Sequence, residues 1–122
     1  MEDLTEYFVE LVRRAATDLP PDVENAIRRA RDQEDPGTPA TAVLDTILEN
    51  VELARKQSTP ICQDTGTPIF YVYYPTGWST IELRRQIRDA VAKATERAYL
   101  RPNAVDSLTG KNSGNNLGEE FP

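Results

Sequence analysis

The residues best equipped for chemistry lie together in residues 58–74, which read STPICQDTGTPIFYVYY. Cys62 is the one cysteine of the chain, and Gln63, Asp64, Thr65 and Gly66 follow it directly. A thiol, an amide, a carboxylate and a hydroxyl thus precede a glycine, a sequence suited to a loop that holds something. A thiolate is a soft ligand that fits iron–sulfur clusters, zinc or copper(I). A carboxylate beside it can take or give a proton. Pro60 and Pro68 bracket the group and restrict the backbone on both sides. The competing reading is ordinary structure. A lone cysteine is commonly a small buried hydrophobe, and short polar residues such as Asp64 favour turns.

Histidine is absent from the chain. That excludes Ser-His-Asp or Cys-His machinery contained within it. One cysteine cannot supply the four ligands of an internal Cys/His zinc site either. If Cys62 binds a metal, the other ligands come from another chain, from a further part of this one, or from the sulfides of the cofactor itself.

Helices must position this loop. Residues 3–16 read as an amphipathic helix with Asp3 as N-cap, Glu6 completing a capping box, and Leu4, Phe8, Leu11, Val12 and Ala15 on one stripe. Pro20 and Pro21 break the pattern, and a second helix runs from 21 to about 32 with Val23, Ala26, Ile27 and Ala30 inward. Its Arg28, Arg29 and Arg31 read as a solvated face. After the 35–38 turn, Thr38 caps a third helix that Pro39 opens. That helix reaches about residue 56, burying Val43, Leu44, Ile47, Leu48, Val51 and Ala54, and delivers the chain to the Cys62 loop. Residues 69–74 have the length and aromatic content of a strand with both faces covered. Its partner would be a second chain or a short extended segment near residues 100–105. Ser79 and Glu82 then form a capping-box pattern opening a helix over about 80–99, with Leu83, Ile87, Ala90, Val91, Ala94 and Ala98 on its inner stripe. Pro102 bars its continuation. The expected fold is α+β and mainly helical: four helices packed with a small strand element around the Cys62 loop. Residues 1–102 form a helical region and 103–122 an Asn/Gly-rich extended tail. In that tail Asn112, Asn115 and Asn116 could shape an anion-binding nest with Gly114.

At 122 residues the chain makes one domain at most. With 39% hydrophobic and 28% charged residues, part of the charge must cover solvated helix faces. A net charge of −6 argues against a nucleic-acid binder and against an anionic membrane as partner. No apolar run approaches the roughly 20 residues that span a bilayer. The acidic start, MEDLTEYF, lacks the basic region of a secretory signal. A single cysteine forms no internal disulfide. The expectation is a soluble cytoplasmic domain.

Two stretches taken together raise this reading: PICQDTGTPIF and YLRPNAVDSLTGKNSGNN. With them the chain resembles the N-terminal part of the iron–sulfur hydro-lyases, the family of class I fumarases and the alpha subunit of L(+)-tartrate dehydratase. The resemblance covers essentially the whole chain and is strongest over 59–72 and 99–116. It implies reversible hydration of a four-carbon dicarboxylate, fumarate/malate or tartrate/oxaloacetate, chemistry that for fumarate belongs to the tricarboxylic acid cycle. It implies a four-iron four-sulfur cluster held by three cysteines, whose open iron acts as a Lewis acid. Cys62 matches the first of the three ligands. Gln63 and Asp64 match positions that contact the substrate, and Asp64 takes part in proton transfer. Arg101 matches an arginine that grips a substrate carboxylate, for which a planar bidentate donor is suited. Read without the resemblance, Arg101 is a cation at a helix C-terminus. The implied partners are the dicarboxylate and a beta subunit or beta domain, in a higher oligomer.

The departures are equally definite. The family's catalytic subunit is more than twice this length, and the second and third cluster cysteines are absent here. The expectation is a piece truncated from a longer alpha domain, inactive alone. The alternative is a non-enzymatic interaction or assembly domain derived from the family, with the Cys62 loop vestigial. A redox-sensing thiol fits less well, because reactive thiols favour electropositive settings and Asp64 lies close in sequence.

Overall fold

The computed structural model describes residues 1–119. Among them are four helices: α1 (Thr5–Thr17), α2 (Pro21–Gln33), α3 (Pro39–Gln57) and α4 (Thr80–Glu96). α1 packs on α4, α2 packs on α3, and α1 also touches α3. The backbones of α3 and α4 do not approach each other closely. Ion pairs show α2 and α3 to be antiparallel: Glu24 pairs with Arg55 at one end, and Arg31 with Asp45 at the other.

The core forms where α1 meets α4. Val12, Val91, Ala94 and Leu100 are buried together, and Ala16, Phe70, Tyr99 and Leu117 close over them. Of the α3 stripe, Leu48, Val51 and Ala54 are buried, whereas Val43 and Ile47 are exposed. The buried half is the C-terminal one, where Arg55 reaches Asp18 just beyond α1. α2 buries no residue at all, and Val23 is exposed. Its sequence stripe is real, but α3 covers it from one side only.

Two of the three expected caps form. The Thr38 side chain accepts from the Thr41 N–H, and the Ser79 side chain from the Glu82 N–H. Glu82 does not return the bond; its carboxylate binds Arg85 and Gln86. At α1 the Asp3 carboxylate accepts from the Thr5 N–H and hydroxyl, one residue short of capping position. The N-cap is Leu4, whose N–H donates to Gln86 Oε1 at 2.9 Å. Gln86 is 1% exposed, and its Nε2 donates to Glu82 and to the Glu2 carbonyl. A polar residue on the inner face of α4 thus serves as the cap of α1.

The strand element is corrected. Residues 69–74 form no strand, and no strand occurs among the described residues; the one β-bridge, antiparallel, joins Val105 to Asn112. The segment near 100–105 therefore pairs within the tail. Residues 67–74 make no backbone hydrogen bond to any described residue. They keep the two-residue alternation of extended chain: Ile69, Tyr71 and Tyr73 are exposed, while Phe70 and Val72 are partly buried. Phe70 sets its ring edge against Phe8 with centroids 6.3 Å apart. A strand is defined by its neighbour, and here only one face of an extended ribbon has one.

α3 and α4 end alike, in a residue with left-handed backbone that is not glycine. Ser58 has φ of 52°, with the Thr59 N–H on the Ala54 carbonyl. Ala98 has φ of 61°, with Tyr99 N–H on Ala94 and Ala98 N–H on Thr95. This is the paired bond pattern of a Schellman stop. α4 therefore ends at Glu96, short of residue 99, and Ala98 is exposed rather than part of the inner stripe.

Replacing Gln86 by Leu leaves the half-buried N–H of Leu4 without its acceptor. We expect a loss of about 1–3 kcal/mol in urea unfolding. An unchanged midpoint would show that the α1 cap does not depend on this amide.

Candidate active site

The Cys62 loop is fastened at both ends. At its start, Arg13 of α1 donates to the Ser58 hydroxyl at 3.2 Å. Arg13 is itself held by Glu10 through two bonds of 2.7 Å. Arg13, and then Arg14, hold the Glu10 carboxyl down at about 2. The peptide of Ile61 is gripped from two helices: its N–H donates to the Ala16 carbonyl at 3.0 Å, and its carbonyl accepts from Asn50 Nδ2 at 2.9 Å. Cys62, Gln63 and Asp64 follow this anchor, all exposed. Asp64 Oδ1 accepts from the Gly66 N–H at 2.9 Å, a tight turn in which Gly66 takes φ of 67°. Asp64 Oδ2 has no partner among the described residues.

Past Asp64 the loop is tied to the segment that follows α4. The Thr65 hydroxyl donates to the Arg101 carbonyl at 2.6 Å. The Thr65 N–H donates to Asn103 Oδ1 at 3.3 Å, and Asn103 Nδ2 donates to the Gln63 carbonyl. These bonds bring Arg101 to the edge of the Cys62 loop across some forty residues of sequence. The Arg101 guanidinium is exposed and has no carboxylate partner among the described residues, as is also true of Arg29 and Arg84 on their helices. By contrast Arg13, Arg14, Arg28, Arg31, Arg55, Arg85 and Arg97 are all paired. Arg101 stands free to receive an external carboxylate.

Asn116 supports this junction from beneath. It is 0% exposed and takes φ of 62°, a conformation asparagine tolerates better than most residues. Its Nδ2 donates to the Arg101 carbonyl at 2.8 Å and to Thr95 Oγ1 at 3.0 Å, and its Oδ1 accepts from the Ala104 N–H at 3.1 Å. Asn112 Nδ2 donates to the Pro102 carbonyl, and Asn112 Oδ1 accepts from the Gly114 N–H. Asn115 Oδ1 accepts from the Leu117 N–H. The asparagines of the tail thus bind the chain's own backbone. Asn50, Asn103 and the structural part of Asn116 escaped the sequence reading, because side-chain bonds to distant backbone leave no periodic signal.

The donor set fits one cluster ligand and not a complete site. Cys62 offers an accessible thiol. No group of three His, Cys, Asp or Glu side chains able to hold a metal occurs among the described residues. An apolar groove between α1 and residues 68–73 has Thr65 and Leu100 in its wall, but none of Cys62, Gln63, Asp64 or Arg101 lines it. No described helix is long and apolar enough to cross a membrane.

The family model of fumarate hydratase (fumerase) matches residues 5–121. The chain belongs to this family. It is 48% identical over 122 residues to "Putative fumarate hydratase class I" of Geobacillus stearothermophilus, covering 100% of this chain and 24% of that protein. It is 37% identical to "Putative L(+)-tartrate dehydratase subunit alpha" of Methanocaldococcus jannaschii, covering 98% of this chain and 42% of that one. To "L(+)-tartrate dehydratase subunit alpha" of Escherichia coli K12 it is 31% identical, over 98% of this chain and 39% of that one. The chain thus spans less than half the length of these fumarase-family relatives.

Two outcomes test the geometry. Replacing Asn116 by Gly relieves the positive φ but removes the amide, so we expect about 1–3 kcal/mol of lost stability in urea unfolding, from unpaired buried groups. The depressed Glu10 carboxyl stabilises the folded chain fully above its unfolded value of 4.5, and that contribution disappears as the pH falls toward about 2. Wild-type should therefore exceed Glu10→Gln in stability at pH 7, and the two should converge between pH 4 and 2. A constant difference across that range would place the effect of Glu10 elsewhere.

Proposed function

We propose that this chain supplies part of the active site of a hydro-lyase that reversibly adds water to a four-carbon dicarboxylate, of the fumarate/malate or tartrate/oxaloacetate type. The observation that carries the reading is the joining of the Cys62–Asp64 loop to Arg101 through Thr65 and Asn103, in a chain of this family. Cys62 provides one of three thiolates for a four-iron four-sulfur cluster, and the other two come from polypeptide other than residues 1–122. Lewis-acid activation of a substrate oxygen is the chemistry such a cluster supplies when bound. Arg101 takes one substrate carboxylate in a bidentate grip. Gln63 presents an amide to the substrate's polar groups. Asp64, with Oδ1 committed to Gly66 and Oδ2 free, takes part in proton transfer.

A beta subunit or beta domain closes the site, in a higher oligomer, and the enzyme works in the cytoplasm. Two of the relatives are named as alpha subunits, which supports a subunit partner. The exposed face of residues 69–74 supports the second reading, a non-enzymatic interaction or assembly domain. Ile69, Tyr71 and Tyr73 there are apolar or aromatic and largely bare.

Anaerobic iron–sulfur reconstitution of the complete polypeptide with its beta partner separates the two. Under the enzyme reading Cys62→Ser loses bound iron and fumarate hydration together. Asp64→Asn lowers kcat by about 10²-fold or more. Arg101→Lys raises KM by about ten-fold, because an ammonium cannot reproduce the planar fork. Full iron content and activity in Cys62→Ser would remove the enzyme reading and leave the interaction domain.

A further inference from the structure

We propose that Asn103 is a positioning residue for the dicarboxylate, its amide fixing the distance between the Cys62–Asp64 loop and Arg101. The inference rests on the function proposed above and adds a residue to it. Both ends of the Asn103 amide are engaged on one short stretch of the loop. Nδ2 holds the carbonyl of Gln63, and Oδ1 holds the N–H of Thr65. The peptide carrying Asp64 lies between those two points. The Asn103 N–H donates to the Arg101 carbonyl at 2.9 Å, so the bracket is anchored at the base of the arginine itself.

Exposure separates this residue from Asn116. Asn116 is buried, and its amide is structural wherever the substrate lies. Asn103 is exposed, with water at hand to replace each bond when the fold alone is considered. Two exposed bonds contribute little to global stability, yet together with the Thr65 hydroxyl on the Arg101 carbonyl they set where Gln63 and Asp64 stand relative to Arg101, and among the described residues they alone hold the Gln63 side of the loop. No close helix packing substitutes for them, because the backbone of α3, which feeds the loop, does not approach that of α4, which feeds Arg101. A rigid diacid held at one end by Arg101 and at the other beside Asp64 is sensitive to that spacing. Displacement of a reacting group by about 1 Å costs on the order of 100-fold.

The test uses the complete polypeptide with its beta partner, cluster-loaded for kinetics and apo for exchange. Asn103→Ala should raise KM for fumarate by about ten-fold or more while melting temperature and iron content stay at wild-type values. Amide hydrogen exchange at Thr65 should accelerate in the apo protein, a readout independent of turnover. Asn103→Asp keeps an acceptor for the Thr65 N–H but loses the donor to Gln63. It should preserve protection at Thr65 and still raise KM. Wild-type KM and wild-type Thr65 exchange in Asn103→Ala would overturn the proposal. So would a loss of activity that follows a lowered melting temperature or iron content, since that marks a structural residue. Absence of both fumarate hydration and tartrate dehydration by the wild-type assembly removes the enzyme reading and the positioning role with it, while the exchange comparison still decides whether the bracket exists.

Discussion

The carbonyl oxygen of Arg101 is the point on which the site depends. Three donors converge on it: the Thr65 hydroxyl, Asn116 Nδ2 and the N–H of Asn103. One comes from the Cys62 loop, one from the tail, and one from the turn that follows Arg101. A peptide carbonyl has two lone pairs, so this acceptor is saturated and its plane is set from three directions. The backbones of the two helices that deliver Cys62 and Arg101 do not approach each other, and among the described helices α1 is the one that packs on both. Hydrophobic packing fixes the helix ends, and a small polar junction then fixes the loops to one another. The site is held together by backbone acceptors rather than by its chemical side chains. Cys62, Asp64 Oδ2 and the Arg101 guanidinium are thereby left available.

Helix ends do more than terminate here. Ser58 and Ala98 adopt a left-handed turn without the relief of a glycine, at a cost of roughly 1–2 kcal/mol each. The sharp reversal aims the chain straight into the Cys62 loop in one case and toward Arg101 in the other. Strain at these two stops is offset by the burial that surrounds them, Ala54 beneath the first and Ala94 and Leu100 beneath the second. The surface ion pairs contribute less. Several join arginines to glutamates three or four residues away on the same helix, an arrangement of modest value in water.

The helices were legible in the sequence because amphipathic spacing and the caps at Thr38 and Ser79 are local signals. α1 was legible in extent but not in its cap, since a buried glutamine more than eighty residues away completes it. α2 showed a stripe that the fold leaves largely open, because periodicity reports which residues could be buried and not whether anything covers them. Residues 69–74 carried strand composition for the same reason, and the neighbour that would make them a strand is not among the described residues. Within the site, Cys62, Gln63, Asp64 and Arg101 drew attention by residue type and by resemblance, and the structure draws the loop and Arg101 into one region. Asn103 drew no such attention, and Asn116 drew it only as a candidate for an anion-binding nest. Their work is done by amides reaching distant backbone, and an asparagine in an Asn/Gly-rich stretch looks like any turn residue.

The unpaired ribbon at residues 67–74 also bears on the order in which the molecule takes shape. The helices depend on local bonds and can form early, and the α2–α3 hairpin needs no distant sequence to close. The ribbon has no such local route, since its amides and carbonyls find no acceptor or donor within the described chain. It is therefore the last element to be satisfied, whatever finally lies beside it. Until then a freshly made chain carries a sticky edge bearing Ile69, Tyr71 and Tyr73, and another such edge can pair with it. Crowded synthesis without a covering strand would favour clumping of like chains, and prompt covering would make the ribbon the seam along which the finished protein is sealed.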